Sequence, residues 1–139
     1  MFTSFSPAAK HVLRLAEQEC RNFNHFYLGA DHLLLALCEE RDAAVMDYFV
    51  ERRIALEPTI AALRQALGTG EDRAWDGILG TPRVRTIVGL AEAFAGPGAL
   101  VEPVHLLDAL VREASSTAAE ILRVAASQLA ADPPRQAAG

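Results

Sequence analysis

Between Val12 and Phe23 the apolar residues Val12, Leu13, Leu15, Ala16, Cys20 and Phe23 include the three- and four-residue spacings of one helix face, and Lys10, Arg14, Glu17, Gln18 and Arg21 cover the other. Ser6-Pro7 supplies a start for this helix. Serine is a favoured N-cap, and proline at the first helical position loses nothing because its missing N–H would be unpaired anyway. The first helix is therefore predicted to begin at Pro7, and residues 22–28 read as a loop carrying aromatics. A second helix opens at Ala30 or Asp31, with Asp31 able to cap it or to favour its dipole, and Leu33, Leu34, Leu37 and Cys38 face inward. Leu35 makes that helix apolar nearly all round, which predicts deep burial. A third helix spans about 43–52 with Val45, Met46, Phe49 and Val50 as its buried set. A fourth spans about 57–67, with Pro58 in its first turn and Ile60, Ala61, Leu63, Ala66 and Leu67 at helical spacing.

Gly68, Gly70, Gly77 and Gly80 then punctuate a polar stretch read as a linker over 68–80, which Trp75, Ile78 and Leu79 pin to the body. Thr81-Pro82 repeats the capped start. Val84, Ile87, Val88, Leu90, Ala91 and Phe94 make the apolar side of a fifth helix, ended by Gly96-Pro97-Gly98. A sixth helix runs from Pro103 through Glu113, and a seventh from Thr117 to about Leu129 with Ile121, Leu122, Val124, Ala125 and Leu129 apolar. Asp132-Pro133-Pro134 stops regular structure, so 132–139 is expected to be a mobile tail and the fourth helix has no later counterpart. No stretch alternates apolar and polar residues long enough to read as a strand. The class is all-α, with about seven helices.

The seven helices form a tandem repeat. LGADHLLLAL at 28–37 returns as EPVHLLDAL at 102–110: placing His32 on His105 matches five of the six positions 32–37, an offset of 73 residues. Upstream, Ser6-Pro7 falls on Thr81-Pro82, and Leu15, Ala16 and Glu17 on Leu90, Ala91 and Glu92, at an offset of 75. The expected organisation is one domain, 1–131, made of repeat one (1–67), the linker (68–80) and repeat two (81–131), as two short helical bundles with pseudo-twofold similarity.

Composition narrows the function. A hydrophobic content of 51% is ample for a core, no apolar run approaches the roughly 18–20 residues of a membrane span, and MFTSFSPAAK lacks the layout of a signal peptide, so the reading is a cytoplasmic chain with no membrane contact. A net charge of −5 without any basic run argues against nucleic acid as a partner. Cys20 and Cys38 sit on apolar helix faces and read as small buried hydrophobes. The histidines His11, His25, His32 and His105 show no i, i+4 pair and no HExxH pattern, so no metal is expected; His32 and His105 are read as each donating a hydrogen bond that fixes the preceding loop to its helix. Ser115-Ser116 in a turn and Cys38 on a buried face lack the partners of a nucleophile, so no catalytic residue and no cofactor is assigned.

MFTSFSPAAKHVLRLAEQE, HFYLGADHLLLAL and TPRVRTIVGLAEA, with their paired capped starts and paired His-Leu-Leu blocks, resemble the double Clp repeat at the N-terminus of Clp-type AAA+ unfoldases, closest to the ClpC branch, over residues 1 to about 129. The resemblance implies a helical module that docks peptides, unfolded or tagged proteins and a Clp adaptor above an ATP-driven ring, in regulated proteolysis. The ring's phosphate loop GxxxxGK[ST] is absent, since Gly68-Thr69-Gly70 is followed by acids. The chain thus reads as a piece of an unfoldase or, alternatively, as a stand-alone decoy that sequesters Clp clients, adaptors or cyclic-peptide antibiotics.

The same resemblance implies two ligand sites. One is phosphoarginine-type: helix-start N–H groups and a cation hold the phosphoryl group while a carboxylate holds the guanidinium. Carried over repeat by repeat, Ser6 and Asp31 survive in the first copy but Ala8 replaces the arginine, and Thr81 and Arg83 survive in the second but Val104 replaces the carboxylate. Neither copy is complete on that reading. The other is an apolar groove for peptides or cyclic-peptide antibiotics, for which Phe2, Phe5, Leu13, Ile78 and Leu79 are candidates, although Gly80 stands where an aromatic is usual and Phe2 and Phe5 are equally readable as a hydrophobic staple on the first helix. Peptide binding at the groove is ranked above phosphoarginine. Lacking a phosphate-cradling loop, the chain should neither bind nor hydrolyse ATP; calorimetry with Mg-ATP checks this, and micromolar binding to pure protein would overturn it.

Overall fold

Two capped helix starts fix the frame of the chain. In the computed structural model, which describes residues 4–25, 27–68 and 79–131, Ser6 Oγ accepts the Ala9 N–H at 3.1 Å to begin α1 (Pro7–Asn22), and Thr81 Oγ1 accepts the Val84 N–H at 3.2 Å to begin α5 (Pro82–Ala95). Each start carries proline at its first helical position, as the sequence predicts. The remaining helices are α2 (Ala30–Glu40), α3 (Ala43–Glu51), α4 (Leu56–Leu67), α6 (Pro103–Glu113) and α7 (Thr117–Ala131). Both central helices end on a non-glycine residue in the left-handed region, Arg41 at φ 55° after α2 and Ala114 at φ 66° after α6, so the repeat extends to the backbone.

The core is continuous through both repeats. Leu33, Leu34, Leu35 and Leu37 of α2 and Leu106, Leu107 and Leu110 of α6 are completely buried, with α1 laid on α2 and α5 on α6. The third helices then exchange: α3 packs against α6 and α7 against α2, while α4 lies across α2 and α7. Leu35, whose presence makes α2 apolar all round, is buried because α2 has neighbours on every side.

Two short backbone pairings stitch the repeats together, and neither was legible in the sequence. Strand β1 (Tyr27–Leu28) pairs in parallel with β2 (Leu79–Gly80), matching Tyr27 with Leu79 and Leu28 with Gly80, and Thr81 N–H continues the ladder to Leu28 O at 3.1 Å. Its counterpart is the bridge between Phe5 and Val101, flanked by Ser6 N–H on Val101 O at 2.9 Å and Val101 N–H on Ser4 O at 2.8 Å. Two residues show no period-two pattern, so these pairs are invisible to any reading of alternation.

Several side chains depart from the predicted faces. Val50 is 75% exposed, because α3 turns Val45, Tyr48 and Phe49 inward and Tyr48 takes the place assigned to Val50. Phe94, Val124, Ala61 and Ala66 are exposed as well, while Thr59, outside the expected apolar set, is buried and donates to Ala55 O at 2.8 Å. Helix α4 begins one residue earlier than expected and α7 runs two residues further. Gly68 ends α4 at φ 60°, while Trp75, Ile78 and the 132–139 tail lie outside the described residues. Leu34→Ala or Leu107→Ala should cost roughly 2–5 kcal/mol, because both sites are sealed and collapse only partly around the lost atoms; urea unfolding checks this, and a change under about 1 kcal/mol would contradict the burial.

Candidate functional site

The Leu28–Gly80 pairing sets the start of α2 against the start of α5, and α7 begins on the same spot from a third direction. The cleft between them encloses about 380 Å³ and is lined by Gly29 to His32 from α2, Thr81, Pro82 and Arg83 from α5, and Ser116 and Thr117 from α7, with Tyr27 and Leu67 at its edge. Three helix N-termini therefore converge on it. First-turn N–H groups have no partner inside their own helix, and their summed partial charge favours an anion.

Asp31 stands in this cleft beside a cation. Its carboxylate does not cap its own helix, as the sequence suggests; Oδ1 accepts the Ala118 N–H at 2.7 Å and so caps α7, 87 residues away. Burial pushes the Asp31 pKa up, opposed by that N–H and by the Arg83 guanidinium. Arg83 is half-exposed, its Nε donating to Ser115 Oγ at 3.0 Å with Glu113 at 3.8 Å.

The carry-over made repeat by repeat therefore paired the wrong residues. Thr81 and Arg83 share their cleft with Asp31 of the other repeat, which completes one set of hydroxyl, cation and carboxylate. Ser6, by contrast, is buried, and its bond to Val101 puts the first helix start beside α6, where Ala8 and Val104 supply neither cation nor carboxylate. The cause is the crossed backbone pairing, which sets each capped start against the other repeat's His-Leu-Leu block.

Behind the cleft lies a pair of buried histidines. Gly29 N–H donates to His32 Nδ1 at 3.0 Å, and Glu102 N–H donates to His105 Nδ1 at 2.9 Å, so in both repeats the histidine accepts from the helix start instead of donating to it. Because His32 Nδ1 accepts, its proton sits on Nε2, which donates to His25 Nδ1 at 2.8 Å. His25 in turn stacks between Phe23 and Tyr27, with ring centroids 6.0 and 5.3 Å away. Burial, then the neighbouring His25 charge, pushes His32 down to about 4 against the pull of Glu19. On the far side of α2, Arg64 of α4 bonds Glu39 at 2.8 Å and reaches the buried Glu19 at 3.8 Å; burial and Glu19 push Glu39 up to about 7.

Comparison with known proteins places the first repeat in a family. Residues 2–51 match the family model described as the Clp repeat (R) N-terminal domain. Over those residues the chain carries the Clp repeat. It is 28% identical over 124 residues, 88% of its length, to the Negative regulator of genetic competence ClpC/MecB of Bacillus subtilis. It is 29% identical over 124 residues, 87% of its length, to the ClpC ATP-binding subunit of the ATP-dependent Clp protease of Staphylococcus epidermidis. The chain spans 15% of the length of each of these relatives. Its fold is that of the N-terminal domain of the chaperone ClpD from Arabidopsis thaliana, with a TM-score of 0.57 at 14% identity covering 94% of this chain and 97% of that one. A structure described as part of a malarial protein secretion system matches with a TM-score of 0.71 at 21% identity, covering 88% of this chain and 84% of that one.

Of the five residues read from the sequence as lining an apolar groove, the two described ones do not offer an open surface. Phe5 is 2% exposed and Leu13 7%, both built into the core, because the Phe5–Val101 bridge draws the segment before α1 inward. Phe2, Ile78 and the Leu79 side chain lie outside the described residues. A second cleft of about 210 Å³, which the sequence did not suggest, opens between α3, α6 and α7, where the Arg52 guanidinium lies 3.7 Å above the Tyr48 ring. Cys20 and Cys38 are buried and both pushed up to about 12, chiefly by burial, in keeping with inert core thiols. Among the described residues no group of three or more His, Cys, Asp or Glu is placed to hold a metal, and no helix is long and apolar enough to cross a membrane.

His32 gives the site a pH signature. Its folded pKa of about 4 lies below the ordinary histidine value of 6.5, so the unfolded chain binds more protons in that window and the His32 contribution is lost as pH falls through it. Glu39, pushed up to about 7, acts with the opposite sign over 4.5 to 7. A difference measurement separates the two. Glutamine at position 32 keeps an acceptor for the Gly29 N–H, as in a capping box, without titrating. The stability of wild type minus His32→Gln should therefore rise by on the order of 3 kcal/mol between about pH 4 and 6.5. A pH-independent difference would contradict the neutral, Nδ1-accepting assignment.

Proposed function

We propose that the chain is a non-catalytic docking module of the Clp system and that it holds its protein ligands at the Asp31–Thr81–Arg83 cleft. The observation that carries this reading is the convergence of a carboxylate, a cation and three helix starts in one open pocket. A phosphorylated arginine side chain fits both halves of that chemistry: its phosphoryl oxygens go to the helix-start N–H groups and Arg83, and its guanidinium goes to Asp31. The crossed pairing of the repeats reverses the ranking drawn from sequence, since a cation beside the carboxylate removes the repulsion that a lone Asp31 would exert on an anion. Stoichiometry follows from the same crossing. With Ala8 and Val104 in the other set, the module takes one such group per chain.

The same cleft serves a domain attached to an unfoldase ring, which presents clients and adaptors to it, and a separate chain that withholds them. Calorimetry and NMR titration with free phosphoarginine test the site. Saturable sub-millimolar binding with one equivalent per chain is expected, weakened about tenfold or more (about 1.4 kcal/mol) by Asp31→Asn, which keeps an acceptor for the Ala118 N–H, and by Arg83→Gln, and left alone by Ser6→Ala. Two equivalents per chain, sensitivity to Ser6→Ala, or saturable shifts with an apolar peptide and none with phosphoarginine would overturn the assignment.

A further inference from the structure

The two repeats differ in what covers their central helices. In repeat one, α4 lies across α2 and α7 and inserts Arg64 between Glu39 and Glu19. Beneath it, α2 is sealed at Leu35 and Cys38. At the offset of 73 residues that relates the blocks, Leu35 corresponds to Asp108, Cys38 to Val111 and Glu39 to Arg112; at the offset of 75 that relates α1 to α5, Glu19 corresponds to Phe94. Among the described residues no helix lies on α6 as α4 lies on α2. Asp108 and Arg112 are exposed, Val111 is half-buried and Phe94 is 43% exposed. Counted from the helix starts at Ala43 and Thr117, Val50 of the flanking helix α3 occupies the place of Val124 in α7, and it is the most exposed large apolar residue described.

We propose that this face, running from Val50 of α3 across Val111 and Arg112 of α6 to Phe94 of α5, is a docking surface for an amphipathic helix of a partner protein that carries an acidic residue where α4 carries Arg64. The internal repeat supplies the argument for a helix, since the equivalent face is occupied by one of twelve residues, Leu56–Leu67. Charge supplies the argument for its chemistry. The seat of α4 is acidic at Glu19 and Glu39, whereas the seat on α6 presents Arg112, which makes no ion pair among the described residues. A second copy of this chain's own α4 is therefore a poor occupant, because its Arg64 would meet Arg112. Asp108 in place of Leu35 lets α6 stand in water when the face is empty, which suits a reversible contact better than a permanent core. The surface is separate from the Asp31–Thr81–Arg83 cleft and does not depend on what that cleft binds.

A synthetic helical peptide of the Leu56–Leu67 sequence carrying R64E is the probe, titrated into the isotope-labelled chain. Saturable sub-millimolar shifts are expected at Val50, Phe94, Val111 and Arg112, with Asp31, Thr81 and Arg83 unmoved. Arg112→Glu in the chain should weaken this peptide tenfold or more and should raise affinity for the unaltered Leu56–Leu67 peptide, a charge swap that unfolding of the variant cannot imitate. Shifts confined to α2 and α7, indifference to Arg112→Glu, or no saturable binding would overturn the proposal, as would coverage of the same residues by a downstream segment in a longer natural chain.

Discussion

Everything in this domain depends on two crossed backbone pairings, Thr81 N–H on Leu28 O and Ser6 N–H on Val101 O. Each ties the capped start of one repeat's first helix to the strand-like stretch before the other repeat's central helix. With them, three helix N-termini meet in a single cleft, and the carboxylate of Asp31 can serve as cap for α7 and as the negative wall of the pocket at once. The exchange of third helices, α3 onto α6 and α7 onto α2, gives the same crossing a hydrophobic interior.

The repeats have diverged in opposite directions around that shared frame. Repeat one concentrates polarity inside, with His32 donating a hydrogen bond to His25 next to the α2 start and Glu19 and Glu39 sharing Arg64 beneath α4. Such buried polar groups cost stability when unsatisfied, and here each has a partner of suitable sign or a donor of suitable direction. Repeat two keeps the histidine-accepted helix start at His105 but has no second histidine behind it, and the counterparts of the two acids are an exposed phenylalanine and an exposed arginine.

Much of the frame was legible in the sequence because it rests on local rules. Ser6-Pro7 and Thr81-Pro82 mark helix starts by capping chemistry alone, and the spacing of Leu34, Leu37, Leu107 and Leu110 identifies the core without knowledge of its neighbours. The site was harder to read because its decisive contacts are non-local. Asp31 meets Ala118 across 87 residues, and nothing in the residues around Asp31 announces that partner. Repeat-wise alignment places Asp31 with Ser6, whereas a two-residue pairing places it with Thr81. Apolar residues near the margin of a helical stripe, Val50 and Phe94, were misassigned for a related reason: the stripe's width is set by how many helices cover it, and α3 and α5 have fewer neighbours than α2.

The central claim is that the ligand cleft is built across the repeats, from Asp31 of one and Arg83 of the other. A double-mutant cycle in phosphoarginine affinity, combining Asp31→Asn with Arg83→Gln and, as the control, Asp31→Asn with Ser6→Ala, measures that directly. The crossed geometry predicts a coupling of about 0.5 kcal/mol or more for Asp31 with Arg83, and additivity within about 0.3–0.5 kcal/mol for Asp31 with Ser6. Coupling between Asp31 and Ser6 with none between Asp31 and Arg83 would contradict it.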